Sequence, residues 1–170
     1  PAHLVWSPPR EGHIQMAIAE YSTISGTPLD LVELRHKRRE SALAQLLSVA
    51  SARRAVRQHD VLLASLARRE RLGTTALGRG VAVPHAHSLL VARPYVLVGR
   101  SPRGLEWDAA DEQPVHLVAL VLSPADLVAE RHFQRVAHVV HVLRQQRQRQ
   151  RLLDAADRDA VALLLREAIG

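Results

Sequence analysis

The chain has 170 residues, no cysteine and a formal net charge of +6, with 22 arginines against one lysine (Lys37) and with ten histidines. That length holds one domain of ordinary size with a short tail, and the missing thiols exclude disulfides, thiolate zinc sites, iron–sulfur clusters and cysteine nucleophiles. Only five aromatic residues stand in a sequence that is 47% hydrophobic, so the core is Leu, Val and Ala and no aromatic platform for single-stranded nucleic acid is available.

In chain order, residues 1–27 have no sustained periodicity and read as a poorly ordered tail. The sole methionine, Met16, is a candidate start, with residues 1–15 upstream of it. From Pro28 onward one domain is expected to run to residue 170. Leu29, Leu31 and Leu34 predict a short extended segment, and Leu43, Leu46, Leu47 and Ala50 place a helix over residues 39–54. A second helix is expected over 58–71, with Val61, Leu62, Ser65, Leu66 and Arg69 in the same period. Gly73, Gly78 and Gly80 mark tight turns before a short strand, Val81 to Val83, that Pro84 ends.

Two further strands follow, Tyr95 to Arg100 and the nearly uniformly apolar Val115 to Leu122, a pattern expected of a strand covered on both faces. Ser101-Pro102-Arg103-Gly104 and the polar stretch from Trp107 to Gln113 join them. Ser123 as cap and Pro124 at the first turn predict a long helix running to about Gln148. Its Arg/Gln-rich end, 144–151, is too polar to bury. A last helix over 157–168 carries Val161, Leu164, Leu165 and Ile169. The fold expected is a single compact α/β domain, with a mixed sheet of four to five strands flanked by helices. Apolar runs are far shorter than the ~20 residues that span a bilayer, and no secretory pattern is visible, so a soluble cytoplasmic protein is expected.

His85 is the first residue to weigh for chemistry. It follows a strand and a proline downstream of a glycine-rich turn, where the backbone can deliver an imidazole to a cleft with N–H groups nearby. An imidazole is largely neutral at cellular pH and can accept a phosphoryl group. By itself a histidine beside a strand is as readily a packing residue. The stretch from Arg69-Glu70 through Thr74-Thr75 and Gly78-Arg79-Gly80 to Val81-Ala82-Val83-Pro84-His85 resembles the signature of enzyme IIA domains of the bacterial phosphotransferase system, of fructose/mannitol and nitrogen-regulatory type. Trp107-Asp108, Gln113-Pro114-Val115, Leu122 to Asp126 and His132-Phe133 follow in the family's order.

That resemblance implies roles residue by residue. His85 would be the phosphoryl acceptor, and His132 would orient it and hydrogen-bond the phosphoryl group. Arg69 would supply positive charge and Thr75 the hydroxyl of the turn. It implies no cofactor and no metal, a histidine phosphoprotein of HPr type as donor, and a IIB domain or a regulated transporter or kinase as partner. With no IIB or IIC portion in the sequence, the nitrogen-regulatory type is favoured over the sugar-specific one. The chemistry suits these residue types, since charge on three equatorial oxygens can be met by guanidinium, imidazole and backbone donors. Two departures stand out: Ala86-His87 where the family has a small residue and then Lys or Arg, and Ala76 for a frequent glycine.

Other readings remain open at this point. His85, His87 and His132 form a candidate three-histidine metal set. Arg35 to Arg39, Arg53-Arg54-Arg57 and Arg144 to Arg151 are candidate nucleic-acid footprints, although they carry no binding pattern. A regulatory binding module with a degenerate site is a third. His138 and His141 lie about 240° and 180° around the helix from His132 and belong to no common site with it. Asp108, Asp111 and Glu112 are explained by a polar loop, and Asp126 with Glu130 by a solvated first turn.

Overall fold

A computed structural model of the chain describes residues 26–167. The expected tail up to residue 25, with Met16, and Ile169 in the last helix lie outside the described residues. The elements are β1 (Leu29–Glu33), α1 (Arg39–Ala52), α2 (His59–Leu72), β2 (Ala76–Gly78), β3 (Val81–Ala82), β4 (His85–Ser88), β5 (Tyr95–Leu105), β6 (Val115–Pro124), α3 (Ala129–Arg144), α4 (Gln146–Asp154) and α5 (Arg158–Glu167). The sheet runs β1-β5-β6-β3-β2, and β4 shares with β3 the same edge of β6. It is therefore mixed: β1 lies parallel to β5, and β3 and β4 parallel to β6, while β5 and β6 are antiparallel, as are β2 and β3.

Alternation along the two central strands divides the core in two. Leu97, Val118, Leu120 and Leu122 face α1 and α2, where Leu43, Leu46, Leu47, Leu62 and Leu66 bury against them. Val96, Val98, Ala119 and Val121 face α3, α4 and α5, packing on Val136, Val139, Leu143, Leu152, Val161 and Leu165. Both faces are covered, which is why β6 reads as one apolar run. Among the described residues no helix is long and apolar enough to cross a membrane.

The structure corrects several local expectations. The inward stripe of α2 is Leu62, Leu66 and Glu70, while Val61, Ser65 and Arg69 face solvent. The strand that Pro84 was expected to end resumes at His85 as β4, and the Pro84 carbonyl accepts from Val121 N–H at 3.0 Å. Pairing with β4 in turn draws β6 onward: Ser123 lies opposite His87 and Pro124 opposite Ser88, so neither opens a helix. Proline is tolerated there because the strand ends with it. Helix α3 starts at Ala129, leaving Asp126 ahead of it rather than in its first turn.

Ser101 to Gly104 do not form the expected link but continue β5 as a bulged segment, with irregular register against β6 between Arg100 and Leu105. Gly104 permits it: φ is +79°, and a Cβ there would lie 2.7 Å from the Pro114 side chain. Trp107, expected in a polar stretch, is 1% exposed. The long C-terminal helix breaks at Gln145, which is extended at φ −80°, ψ 118°. The guanidinium of Arg149 caps the freed carbonyls of Leu143 and Arg144 at 3.0 and 2.8 Å. The break aims Leu152 of α4 into the core, where it is fully buried.

Candidate functional site

The site lies where β4, the turn before β2 and helix α3 converge. His85, half-buried at the start of β4, is aimed by its own backbone: its Nδ1 lies 3.0 Å from the Val83 carbonyl oxygen. A carbonyl only accepts, so Nδ1 carries the hydrogen and Nε2 keeps its lone pair. Burial pushes the His85 pKa down; the bond to Val83 opposes this and the charge of Arg69 reinforces it. The ring is thus neutral and nucleophilic at Nε2.

A cleft of about 90 Å³ opens beside this ring, lined among others by Arg69, Thr74, Thr75, Ala76 and, from α3, Val136 and Val140. Larger clefts exist, one of about 340 Å³ along the loop from Leu105 to Pro114, but it gathers no nucleophile. Three of the residues expected at the site, His85, Arg69 and Thr75, therefore share one cleft. Arg69 is held over the turn by a 2.7 Å hydrogen bond from its guanidinium to the Gly73 carbonyl.

The turn is built on Glu70, for which the sequence suggested no role beyond its place in the Arg-Glu pair. Its carboxylate, 3% exposed, accepts from Thr75 N–H at 2.7 Å, Thr75 Oγ1 at 2.8 Å, Thr74 Oγ1 at 3.1 Å and Trp107 Nε1 at 2.8 Å. A buried carboxylate persists only with such partners. The proton of the Thr75 hydroxyl is committed to Glu70, so Thr75 anchors the turn. Downstream, Gly78, Arg79 and Gly80 all have positive φ, and Arg79 N–H donates to Asp111 at 2.7 Å. Hydrogen bonds from the backbone at Arg79 and Gln113 hold the Asp111 carboxyl below its ordinary pKa, so this acid ties two loops together.

His132 meets His85 from α3, with ring centroids 5.6 Å apart, and stacks on His87 at 5.4 Å and 16°. It is 1% exposed. Burial pushes its pKa down to about 3, with the charges of His85, His87 and Arg135 adding to the effect. His87 Nε2 donates to the Leu127 carbonyl at 2.7 Å. The three rings gather, but among the described residues no group of His, Asp or Glu has the arrangement to hold a metal ion. His138 is buried elsewhere, donating to the Leu165 carbonyl at 2.7 Å. His116 bonds the Ser101 carbonyl, and His59 bonds Asp60.

Two residues beneath His132 had no site role in the sequence reading: Ser123, expected as a helix cap, and Arg135. Ser123 Oγ lies 2.9 Å from His132 Nδ1 and accepts from Arg135 NH1 at 2.8 Å. Arg135 is 5% exposed, yet among the described residues it has no carboxylate partner, and its Nε is unpaired. The available signal was spacing, since a residue three positions after His132 shares its helix face. Many other arginines have structural partners: Arg39 pairs with Asp108, Arg53 with Asp30, and Arg100 with Glu33 and the carbonyls of Leu153 and Ala155.

Comparison with known proteins settles the family. The family model described as "Phosphoenolpyruvate-dependent sugar phosphotransferase system, EIIA 2" matches residues 28–168. The chain belongs to that family. It is 33% identical over 156 residues to a fructose-specific EIIA component from Haloferax volcanii, covering 91% of this chain and 99% of that one. A nitrogen regulatory protein from Bradyrhizobium diazoefficiens is 39% identical over 98 residues, 58% of this EIIA chain and 62% of the relative. The crystal structure of nitrogen regulatory protein IIA-Ntr from Neisseria meningitidis superposes with a TM-score of 0.72 at 23% identity, over 81% of this chain and 92% of that one. The mixed-sheet IIA fold expected from the sequence is therefore the fold observed.

Proposed function

We propose that this EIIA protein is a phosphocarrier whose acceptor atom is His85 Nε2. The observation that carries the reading is the bond from His85 Nδ1 to the Val83 carbonyl, which leaves the Nε2 lone pair beside the cleft that Arg69 lines. The donor is the phosphohistidine of an HPr-like protein. The His85 Nε2 lone pair attacks phosphorus, the new N–P bond forms as the donor's N–P bond breaks, and the electron pair returns to the donor imidazole. No proton has to leave Nε2, and Nδ1–H stays on Val83. Arg69 and the neutral ring of His132 meet the charge on the phosphoryl oxygens as it moves.

From His85 the group passes to a IIB partner, or its presence is read as a signal. The relatives carry both fructose-specific and nitrogen-regulatory names, and the phosphoryl step is common to either output. The test is incubation with phosphoenolpyruvate, the first enzyme of the system and HPr, followed by intact mass. One acid-labile phosphate is expected on the wild type and none on His85→Ala. No gain in wild type, or an undiminished gain in the variant, overturns the proposal. Adding an isolated IIB domain then separates onward transfer from signalling.

A further inference from the structure

The group beneath His132 can be assigned by counting hydrogens. Ser123 is fully buried, and its Oγ has one hydrogen and two lone pairs. Arg135 can only donate, so its 2.8 Å contact uses one lone pair. The only other partner of Ser123 Oγ among the described residues is His132 Nδ1, at 2.9 Å. If Nδ1 carried the hydrogen, it would take the second lone pair and leave the serine hydrogen buried without an acceptor. Buried hydroxyls rarely stay in that state. If the serine hydrogen goes to a bare Nδ1, the Ser123 hydroxyl and His132 Nδ1 are both satisfied.

We infer that Arg135 and Ser123 are positioning residues that lock His132 as its Nε2–H tautomer, so that the ring offers a hydrogen-bond donor toward the group carried on His85. The inference rests on the phosphocarrier reading for its purpose but not for its geometry. His132 Nε2 has no protein partner among the described residues, and its ring lies beside that of His85, with centroids 5.6 Å apart and planes tilted by 43°. Arg135 polarises the serine hydroxyl, which strengthens its donation to Nδ1. Being neutral, His132 has a single hydrogen to offer, so which nitrogen bears it decides whether it helps or repels a phosphoryl oxygen.

The test reads the tautomer directly, by nitrogen-15 NMR of the histidine rings in the unphosphorylated protein. Wild type is expected to show His132 protonated at Nε2 alone. Ser123→Thr keeps the hydroxyl and the spectrum. Ser123→Ala gives a mixture of tautomers, and Ser123→Asp, whose carboxylate accepts from Nδ1 and pairs with Arg135, moves the hydrogen to Nδ1. Phosphoryl acceptance from HPr should fall about tenfold in Ser123→Ala and about 100-fold in Ser123→Asp, the scale of losing one aimed donor.

Arg135→Leu, which keeps the buried volume without the charge, guards against a misfolded Ser123 variant. It is expected to slow acceptance several-fold with an undiminished melting temperature, a split that a packing role would not produce. An Nδ1–H tautomer in wild type, or Ser123→Ala and Arg135→Leu with unchanged spectra and rates, overturns the inference. The spectra need no phosphoryl donor, so they decide the lock even if wild type takes no phosphate, a result that would instead overturn the function proposed above.

Discussion

The molecule has two buried polar networks of opposite character. At one end, Asp30 of β1 is closed on every side: Arg53 reaches its two oxygens at 2.9 and 3.2 Å, Tyr95 OH donates at 2.5 Å, and Arg158 of α5 stands at 3.6 Å. Burial raises the Asp30 carboxyl, but the Tyr95 bond and the Arg53 and Arg158 charges overcome it and hold the pKa below the ordinary value. Tyr95 is pushed up to about 12 by burial and by its bond to Asp30. The other network, His85, His132, Ser123 and Arg135, is unfinished: among the described residues it has two imidazole nitrogens without protein partners, a cation without a carboxylate, and an unpaired Nε. A network that closes on itself fastens elements together. One that stops short, with an uncompensated cation, leaves donors free, and the proposed phosphoryl group would use them.

The largest effect that sharpens this contrast comes from breaking the closed network. Asp30→Ala strips the shared acceptor from the buried Tyr95 hydroxyl and from two half-exposed arginines, and should cost about 1–3 kcal/mol, the scale of leaving a buried hydroxyl without its partner. Chemical denaturation measures it. Phosphoryl acceptance per folded molecule should not change; a loss there would show that the two networks are coupled.

An acid titration separates the same two networks by pH window. A histidine with a depressed pKa binds its proton less readily folded than unfolded, so the stability it confers is present above the unfolded value near 6.5 and is lost as pH falls toward the folded one. For His132, with its pKa near 3, the loss runs from about pH 6.5 to about pH 3. Its slope is about 1.4 kcal/mol per pH unit within that window. His85 and His138 are lowered in the same direction, chiefly by burial, and steepen the arm. Asp30 adds its own loss only below its ordinary value of 3.8. His132→Gln should flatten unfolding free energies measured between pH 6.5 and 4; an unchanged slope would mean that this ring is not held neutral.

Much of this was legible along the chain because its signals are local. The glycine-rich turn before Pro84 and His85, the helix spacing of Leu43 to Ala50 and the apolar run of β6 depend on neighbours in sequence, and the turn singled out His85, which lines one cleft with Arg69 and Thr75. What escaped depends on pairing across the chain. Ser123-Pro124 has the form of a helix start, and only its parallel pairing with His87 and Ser88 makes it strand. That pairing is also what sets Ser123 beneath His132. Trp107 looked polar by its company, but its indole N–H answers Glu70, 37 residues earlier. Gln145 breaks a helix without proline or glycine, and beyond the break α4 buries Leu152.

The smallest expected effect is the most discriminating. If the second network is unfinished, Arg135→Leu deletes a buried charge that no carboxylate among the described residues compensates. It gives up one hydrogen bond to Ser123, worth about 1 kcal/mol net, and removes an orphaned Nε whose burial costs about 1–3 kcal/mol. The desolvation of the guanidinium, which already lowers its own pKa, disappears with it. Replacing buried ionic groups with apolar ones of like size is often neutral or stabilising, so denaturation should place the variant between unchanged and about 2 kcal/mol more stable. A loss as large as that of Asp30→Ala would mean that Arg135 is anchored as firmly as Arg53 and Arg158 are. A gain in stability alongside slower phosphoryl acceptance would show that the buried cation is kept at a cost to the fold, for the sake of the ring above it.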